Sequence, residues 1–250
     1  MIKQLTFIIS ALMTIQIACS IPAQAQSSTR EESYLAIAQL PDFDGLWEPL
    51  PDPTFGAGSQ IIMTPEYASH AEAYRKAEAR GDIQDSPAAN CVPMGMPIAM
   101  RDPYPFEILI TPGKVTLIIE AHSQWRQIFT DGRALPEDPD PSFNGHSIGQ
   151  WEGDTLIVES IGFDTATAMG RSFGERHSDQ MRIVERMRLT DEDTLEIETI
   201  VYDSEALLEP WVTTIAYGRH RDWTLTEYIC QQNNRNSLTN DGKAAINLEH

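Results

Sequence analysis

Between Phe106 and Cys230 the chain passes through a series of segments in which every second residue is apolar, and in two of them a glutamate takes an apolar place. In Met181-Ile183-Glu185-Met187-Leu189 the exception is Glu185, and in Trp223-Leu225-Glu227-Ile229 it is Glu227. A period of two sends alternate side chains to opposite faces of a strand, one set toward a core and the other toward water. An inward carboxylate has to be paired, protonated or hydrated, because an isolated buried charge is costly. These patterns predict a β-rich protein with polar groups inside it.

The strands expected from this alternation are Asp42–Glu48, Phe106–Thr111, Val115–His122, Ser123–Thr130, His146–Trp151, Thr155–Ile161, Gln180–Leu189, Thr194–Tyr202, Trp211–Tyr217 and Trp223–Cys230. Turn chemistry separates several of them: Thr111-Pro112-Gly113-Lys114, Asp131-Gly132 and Glu152-Gly153-Asp154. Short strands at close spacing, without crossover helices, imply antiparallel pairing and hence a barrel or sandwich. We expect an all-β, antiparallel up-and-down barrel over residues 41–234 with one helical insertion at 64–81. The helix is announced by Thr64-Pro65-Glu66 (N-cap, proline at the first position, acid in the first turn) and stopped by Gly81.

The N-terminus reads as a secretory leader. A basic start at Met1-Ile2-Lys3, an apolar run from Leu5 to Ala18 and a small-residue site at Ala23-Gln24-Ala25 predict cleavage after Ala25. Ile17-Ala18-Cys19 is a second-ranked alternative, a lipidation site, although Gln16 stands where an aliphatic residue belongs. The leader (1–25) would be followed by a polar segment (26–40), and residues 235–250 read as a loose tail. The expected location is periplasmic or secreted, without stable membrane insertion. The formal charge of −19 argues against a nucleic-acid partner, since phosphate recognition needs concentrated Lys and Arg. Without the leader two cysteines remain, Cys91 and Cys230, and an oxidising compartment makes them a candidate disulfide.

Two resemblances bear on the fold. Gly45-Leu46-Trp47 ahead of an up-and-down strand series resembles the lipocalin and wider calycin barrels, where Gly-x-Trp marks the barrel entrance and the interior holds a small hydrophobic ligand. The insertion between Pro49 and Pro105 departs from that pattern. Tyr104-Pro105-Phe106-Glu107-Ile108, Gly145-His146-Ser147-Ile148-Gly149, Trp151-Glu152-Gly153-Asp154-Thr155-Leu156 and Val184-Glu185-Arg186 resemble a family of exported bacterial proteins without an assigned activity. That likeness implies the compartment and the barrel rather than a reaction.

Gly145-His146-Ser147-Ile148-Gly149 satisfies G-x-S-x-G, but it continues as a strand into a Gly-Asp turn, whereas a hydrolase elbow enters a helix. Ser147 is therefore not expected to be a nucleophile. Buried carboxylates serve as acids or bases near neutrality, which makes Glu185 and Glu227, with His146 as orienter or base, the candidate catalytic set. The structural alternative for Glu185 and Glu227 is an ion pair with an inward arginine such as Arg126, or a charge that sits in water at a barrel mouth. Tyr104, Arg126, His177 and Trp151 complete a candidate ligand-binding set. Glu107 and Glu120 lie on mixed faces. The histidines fall on separate segments without metal-ligand spacing, and no phosphate or dinucleotide loop occurs, so no metal or cofactor is expected.

Three functions follow, in order of preference. The first is a cofactor-independent lyase or isomerase acting on a small, largely hydrophobic compound, aromatic ones included. The second is a carrier or sensor of such a ligand, and the third is a structural domain whose barrel is filled and whose inward charges are neutralised by arginine.

Overall fold

The computed structural model describes residues 32–51, 60–81, 87, 89–170, 172–233, 237–238 and 244–245. The expected leader, 1–25, lies outside the described residues, as does Cys19. No helix among the described residues is long and apolar enough to cross a membrane.

Nine strands close into a barrel: β1 (Gly45–Pro49), β2 (Phe106–Thr111), β3 (Lys114–Ile119), β4 (Gln124–Phe129), β5 (His146–Glu152), β6 (Thr155–Ile161), β7 (Arg182–Asp191), β8 (Thr194–Tyr202) and β9 (Trp211–His220). Each strand pairs with its sequence neighbour, and β1 closes the ring against β9 in antiparallel register, Leu46 opposite His220 and Pro49 opposite Tyr217. One pairing corrects the all-antiparallel expectation: β4 and β5 run parallel. Closure requires it, because strand direction must return to itself around a ring and an odd number of strands cannot alternate throughout. The long segment between Phe129 and His146 supplies the return path that a parallel neighbour needs.

Closure also corrects the expected last strand. Residues 221–229 are not a strand, and Cys230 opens a short helix, α2 (Cys230–Asn233), after α1 (Pro65–Ala79). The alternation from Trp223 to Ile229 finds no ladder because β1 already occupies the free edge of β9. Glu227 is consequently exposed rather than inward.

Buried side chains fill the ring. Trp47, Phe106, Ile128, Met187 and Tyr217 are among the residues at most 1% exposed. The Trp47 indole donates to the Phe43 carbonyl at 3.0 Å, and the Arg219 guanidinium lies 4.5 Å over its ring. Arg219 is itself held by the Asp42 carboxylate at 2.9 Å. These contacts fasten the Gly-x-Trp segment of β1 to Arg219 on β9.

Helix α1 begins where Thr64-Pro65 predicts, with Thr64 at the N-cap position. The Thr64 hydroxyl does not cap the helix; it donates to the Glu205 carbonyl at 2.8 Å and anchors the helix start to the β8–β9 connection. Arg80 ends the helix, and Gly81 follows at φ +76°, a conformation that favours glycine. Beyond the barrel, a two-residue ladder joins β10 (Ser237–Leu238) to β11 (Ala244–Ala245) within the expected tail.

Cys91 and Cys230 form the expected disulfide, with their Cα atoms 5.6 Å apart. It ties the segment after the helical insertion to α2. The segment between β9 and α2 is held to the β3–β4 connection by Ser123 Oγ donating to the Tyr228 carbonyl at 3.0 Å and Thr226 N–H donating to Glu120 at 2.9 Å.

Candidate functional site

Glu185 points into the barrel as its alternation predicts and is fully buried, but it is not free. Arg126, equally buried on β4, meets it in a two-pronged ion pair: Nη1 donates to Oε1 at 3.0 Å and Nη2 donates to Oε2. The same guanidinium donates through Nε to Ser147 Oγ at 3.2 Å and through Nη2 to Ser160 Oγ at 2.9 Å. The two serine hydroxyls bond each other at 2.8 Å. Strand register carries the polar seam further, since Glu185 stands opposite Thr199 and Thr199 opposite Thr213. Burial, then the negative charge of Glu185, pushes the Tyr217 phenol far above its ordinary range, with Arg101 opposing. Such a bidentate, hydrogen-bonded pair is what a buried carboxylate needs to remain charged. It also leaves Glu185 poorly placed to move protons.

This network explains the G-x-S-x-G pattern. Ser147 is buried in mid-strand among Arg126 and Ser160, not displayed on an elbow. Gly145 has φ +66°, and a Cβ there would come within 2.6 Å of the Phe163 ring. A Cβ on Gly149 would lie 2.8 Å from Ile128. Both glycines permit close packing next to β5.

With Ser147 inward, His146 and Ile148 take the outer face of β5, so His146 does not join Glu185 inside the barrel. Its Nε2 lies 2.8 Å from the Asp140 carbonyl. A carbonyl can only accept, so Nε2 carries a proton and donates this bond.

His146 borders a cleft of about 740 Å³, which forms where β4 and β5 part. The two strands pair only at Ile128–Ser147 and Phe129–Ile148. Beyond those positions β5's approach is drawn away: Ser142 N–H donates to the Gly162 carbonyl at 3.0 Å, and the Phe143 carbonyl accepts from Met96 N–H at 2.8 Å. Asn144 bridges the gap, its Nδ2 donating to the Trp125 carbonyl at 3.1 Å in place of a ladder bond. Phe129, Leu135, Pro136, Phe143 and Ile148 give the cleft an apolar lining. Trp125, 63% exposed, stands at it, and Arg126 and Ser147 connect it to the buried seam.

The other expected residues lie elsewhere. Tyr104 packs edge-on against Tyr228 at 5.2 Å, and Tyr228 also meets His122. Burial and Tyr228 raise the Tyr104 phenol, while burial lowers His122. Trp151 packs against Phe43 at 5.2 Å and borders a smaller cavity of about 350 Å³ on β5 and β6. Glu227 is on the exposed segment already described. Among the described residues no group of three or more His, Cys, Asp or Glu could hold a metal ion. Gln124, Trp125 and Asn144 were not expected site residues; their role depends on the strand divergence, for which the local sequence carries no signal beyond a long β4–β5 connection.

His177 is buried near the start of α1, where it borders a second cavity of about 350 Å³ with Tyr67, His70 and Tyr74. Its Nδ1 lies 2.8 Å from the Ser178 carbonyl and its Nε2 2.8 Å from Thr167 Oγ1. Burial is the main cause that lowers its pKa, only partly opposed by the Ser178 carbonyl and Asp203. Because the folded ring resists protonation, the unfolded chain binds the proton first as pH falls below the ordinary histidine value of 6.5. Stability from this group is thus present above that value and declines on acidification toward the lower folded pKa. We expect the thermal midpoint to fall between pH 7.5 and 5.5, and His177→Gln to flatten that fall by removing at most about 1.4 kcal/mol per pH unit. Parallel pH profiles for wild type and variant, measured by thermal unfolding, would refute this.

Neither protein-family models nor curated proteins matched the chain.

Proposed function

We propose that this chain is an exported binding protein, a carrier or sensor, that holds a small, largely hydrophobic organic molecule in the cleft between β4 and β5. The observation that carries this reading is the cleft of about 740 Å³ opening beside the only parallel strand pair of the barrel, within the size range of small-molecule sites. Phe129, Leu135, Pro136, Phe143 and Ile148 supply apolar walls with polar side chains between them, the kind of lining that holds a small organic molecule. Binding is favoured over lyase or isomerase chemistry because the acid–base set is dispersed: Glu185 is engaged by Arg126, Glu227 is on an exposed segment, and His146 is on the outer face. Export after cleavage at Ala25 agrees with the leader-like N-terminus and the formed disulfide.

The test is retention from a metabolite extract by purified Gln26–His250 and by its Leu135→Asp variant, which places a charge in the apolar wall without touching the barrel core. We expect mass spectrometry to find an unaltered apolar compound on the wild type and at least about tenfold less on the variant, as expected for desolvating an unpaired carboxylate. Time-dependent loss of a compound with wild type would instead establish an enzyme. Identical retention by both proteins would remove the cleft from consideration.

A further inference from the structure

The cleft departs from the charge balance of the molecule around it. The chain has 37 Asp and Glu against 18 Lys and Arg. Among the described residues, however, no carboxylate lines the cleft, while two arginines, Arg126 and Arg133, do. The β4–β5 connection shows the same sorting residue by residue. It gives Arg133, Ala134, Leu135 and Pro136 to the lining, whereas its acids Asp131, Glu137, Asp138 and Asp140 are exposed outside it. The two arginines differ in what they can reach. Arg126 is 1% exposed and its charge is met by Glu185 inside the barrel. Arg133 is exposed, with its guanidinium 3.7 Å over the ring of Phe129, which is itself a wall of the cleft. Asp131 holds that pose along one edge: Nε donates to Oδ1 at 2.9 Å and to Oδ2 at 3.1 Å, and Nη2 donates to Oδ2 at 2.6 Å. Nη1 makes no hydrogen bond among the described residues.

A guanidinium carries five N–H donors in a planar fork, so a carboxylate along the Nε–Nη2 edge leaves the Nη1 side for a second acceptor. Resting on the binding function proposed above, we infer that the cleft holds an aromatic carboxylic acid as its anion, read by Arg133. The ring lies against the Phe129–Leu135–Phe143 walls, and the carboxylate accepts from the Nη1 side of the guanidinium, a charge-assisted bond. An uncharged molecule of the same shape fills the walls but forgoes that bond. A cationic one brings its charge to a lining that has no carboxylate to pair with it. Because Arg133 is exposed and keeps Asp131 beside it, the gain for the acid is that of a well-placed exposed ion pair rather than a buried one.

The experiment uses three probes of one shape, 2-naphthoate, 2-naphthalenemethanol and 2-naphthylmethylammonium, titrated by calorimetry into Gln26–His250 and its variants. We expect 2-naphthoate to bind about fivefold more tightly than the alcohol, and the ammonium compound to bind least. Arg133→Gln, which keeps a polar side chain but removes the charge, brings the acid-to-alcohol ratio near one and leaves the alcohol's affinity within about twofold. Thermal unfolding verifies that each variant is folded. The ratio is the decisive readout, since a merely structural role for Arg133 would weaken all three probes together. An acid that binds no better than the alcohol, with alcohol binding abolished by Leu135→Asp, would overturn the acid selection and leave the cleft as a binding site. A preference for the acid that survives Arg133→Gln, or a preference for the ammonium compound, would overturn it as well. Binding of none of the probes, or alcohol binding indifferent to Leu135→Asp, would overturn the cleft function and the selection with it.

Discussion

Glu185→Leu alone is expected to lower folding stability by about 3–5 kcal/mol, because it leaves the Arg126 guanidinium charged and unmatched inside the barrel. Arg126→Met alone should cost a similar amount by stranding the carboxylate. The double variant Arg126→Met/Glu185→Leu should recover most of the loss, since replacing both members of a buried pair with apolar groups of similar volume is often neutral or stabilising. Ser147 and Ser160 limit the recovery: they would keep their mutual 2.8 Å bond but lose the arginine donors. Chemical denaturation of the four proteins closes the cycle. A double variant as unstable as the sum of the single variants would show that the two groups act independently, contrary to their geometry. A further variant tests function: because the Glu185 carboxylate is engaged with Arg126, Glu185→Gln, if folded, is expected still to retain the ligand carried by wild type.

Removing the Cys91–Cys230 bond should have an effect of the same order. It spans 139 residues of sequence, and the chain-entropy model places the destabilisation of the unfolded ensemble lost with such a bond at about 5 kcal/mol. For a domain of this size that is a fall in thermal midpoint of about 10–20 °C for Cys91→Ser/Cys230→Ser. The same shift should appear when the wild type is measured in reductant, and no further shift should appear when reductant is added to the variant. A loss below about 1 kcal/mol would mean that the segment from Trp223 to Asn233 peels away without the barrel unfolding. Attachments such as the Ser123–Tyr228 and Glu120–Thr226 bonds, the contacts of Tyr228 with Tyr104 and His122, and the Trp223–His220 stack are what would then have yielded.

Much of the barrel is legible residue by residue. Phe106–Thr111, Thr155–Ile161 and Thr194–Tyr202 have the boundaries their alternation predicts. Pro112-Gly113 and Gly153-Asp154 mark their turns because a proline or positive-φ glycine there is a local requirement. Glu185 is legible for the same reason, as one polar residue in an otherwise apolar register. Glu227 shows the limit of that reasoning. Its segment alternates as well, yet alternation produces a strand only when a neighbouring edge offers hydrogen bonds, and β1 had taken the edge of β9. The site was less legible still. His146 and Ser147 differ by one position, and only the register of β5 against β4 and β6 decides which enters the barrel.

Local chemistry in the sequence determined nine of the ten expected strands, the insertion helix, the inward Glu185 and the pair of cysteines, because periodicity, turn residues and residue type act over a few neighbours. Tertiary structure alone decided that nine strands close with one parallel pair, that Arg126 answers Glu185, and that β4 and β5 part to leave a cleft. Those outcomes depend on which edges meet when the ring closes, and ring closure is a property of all the strands together.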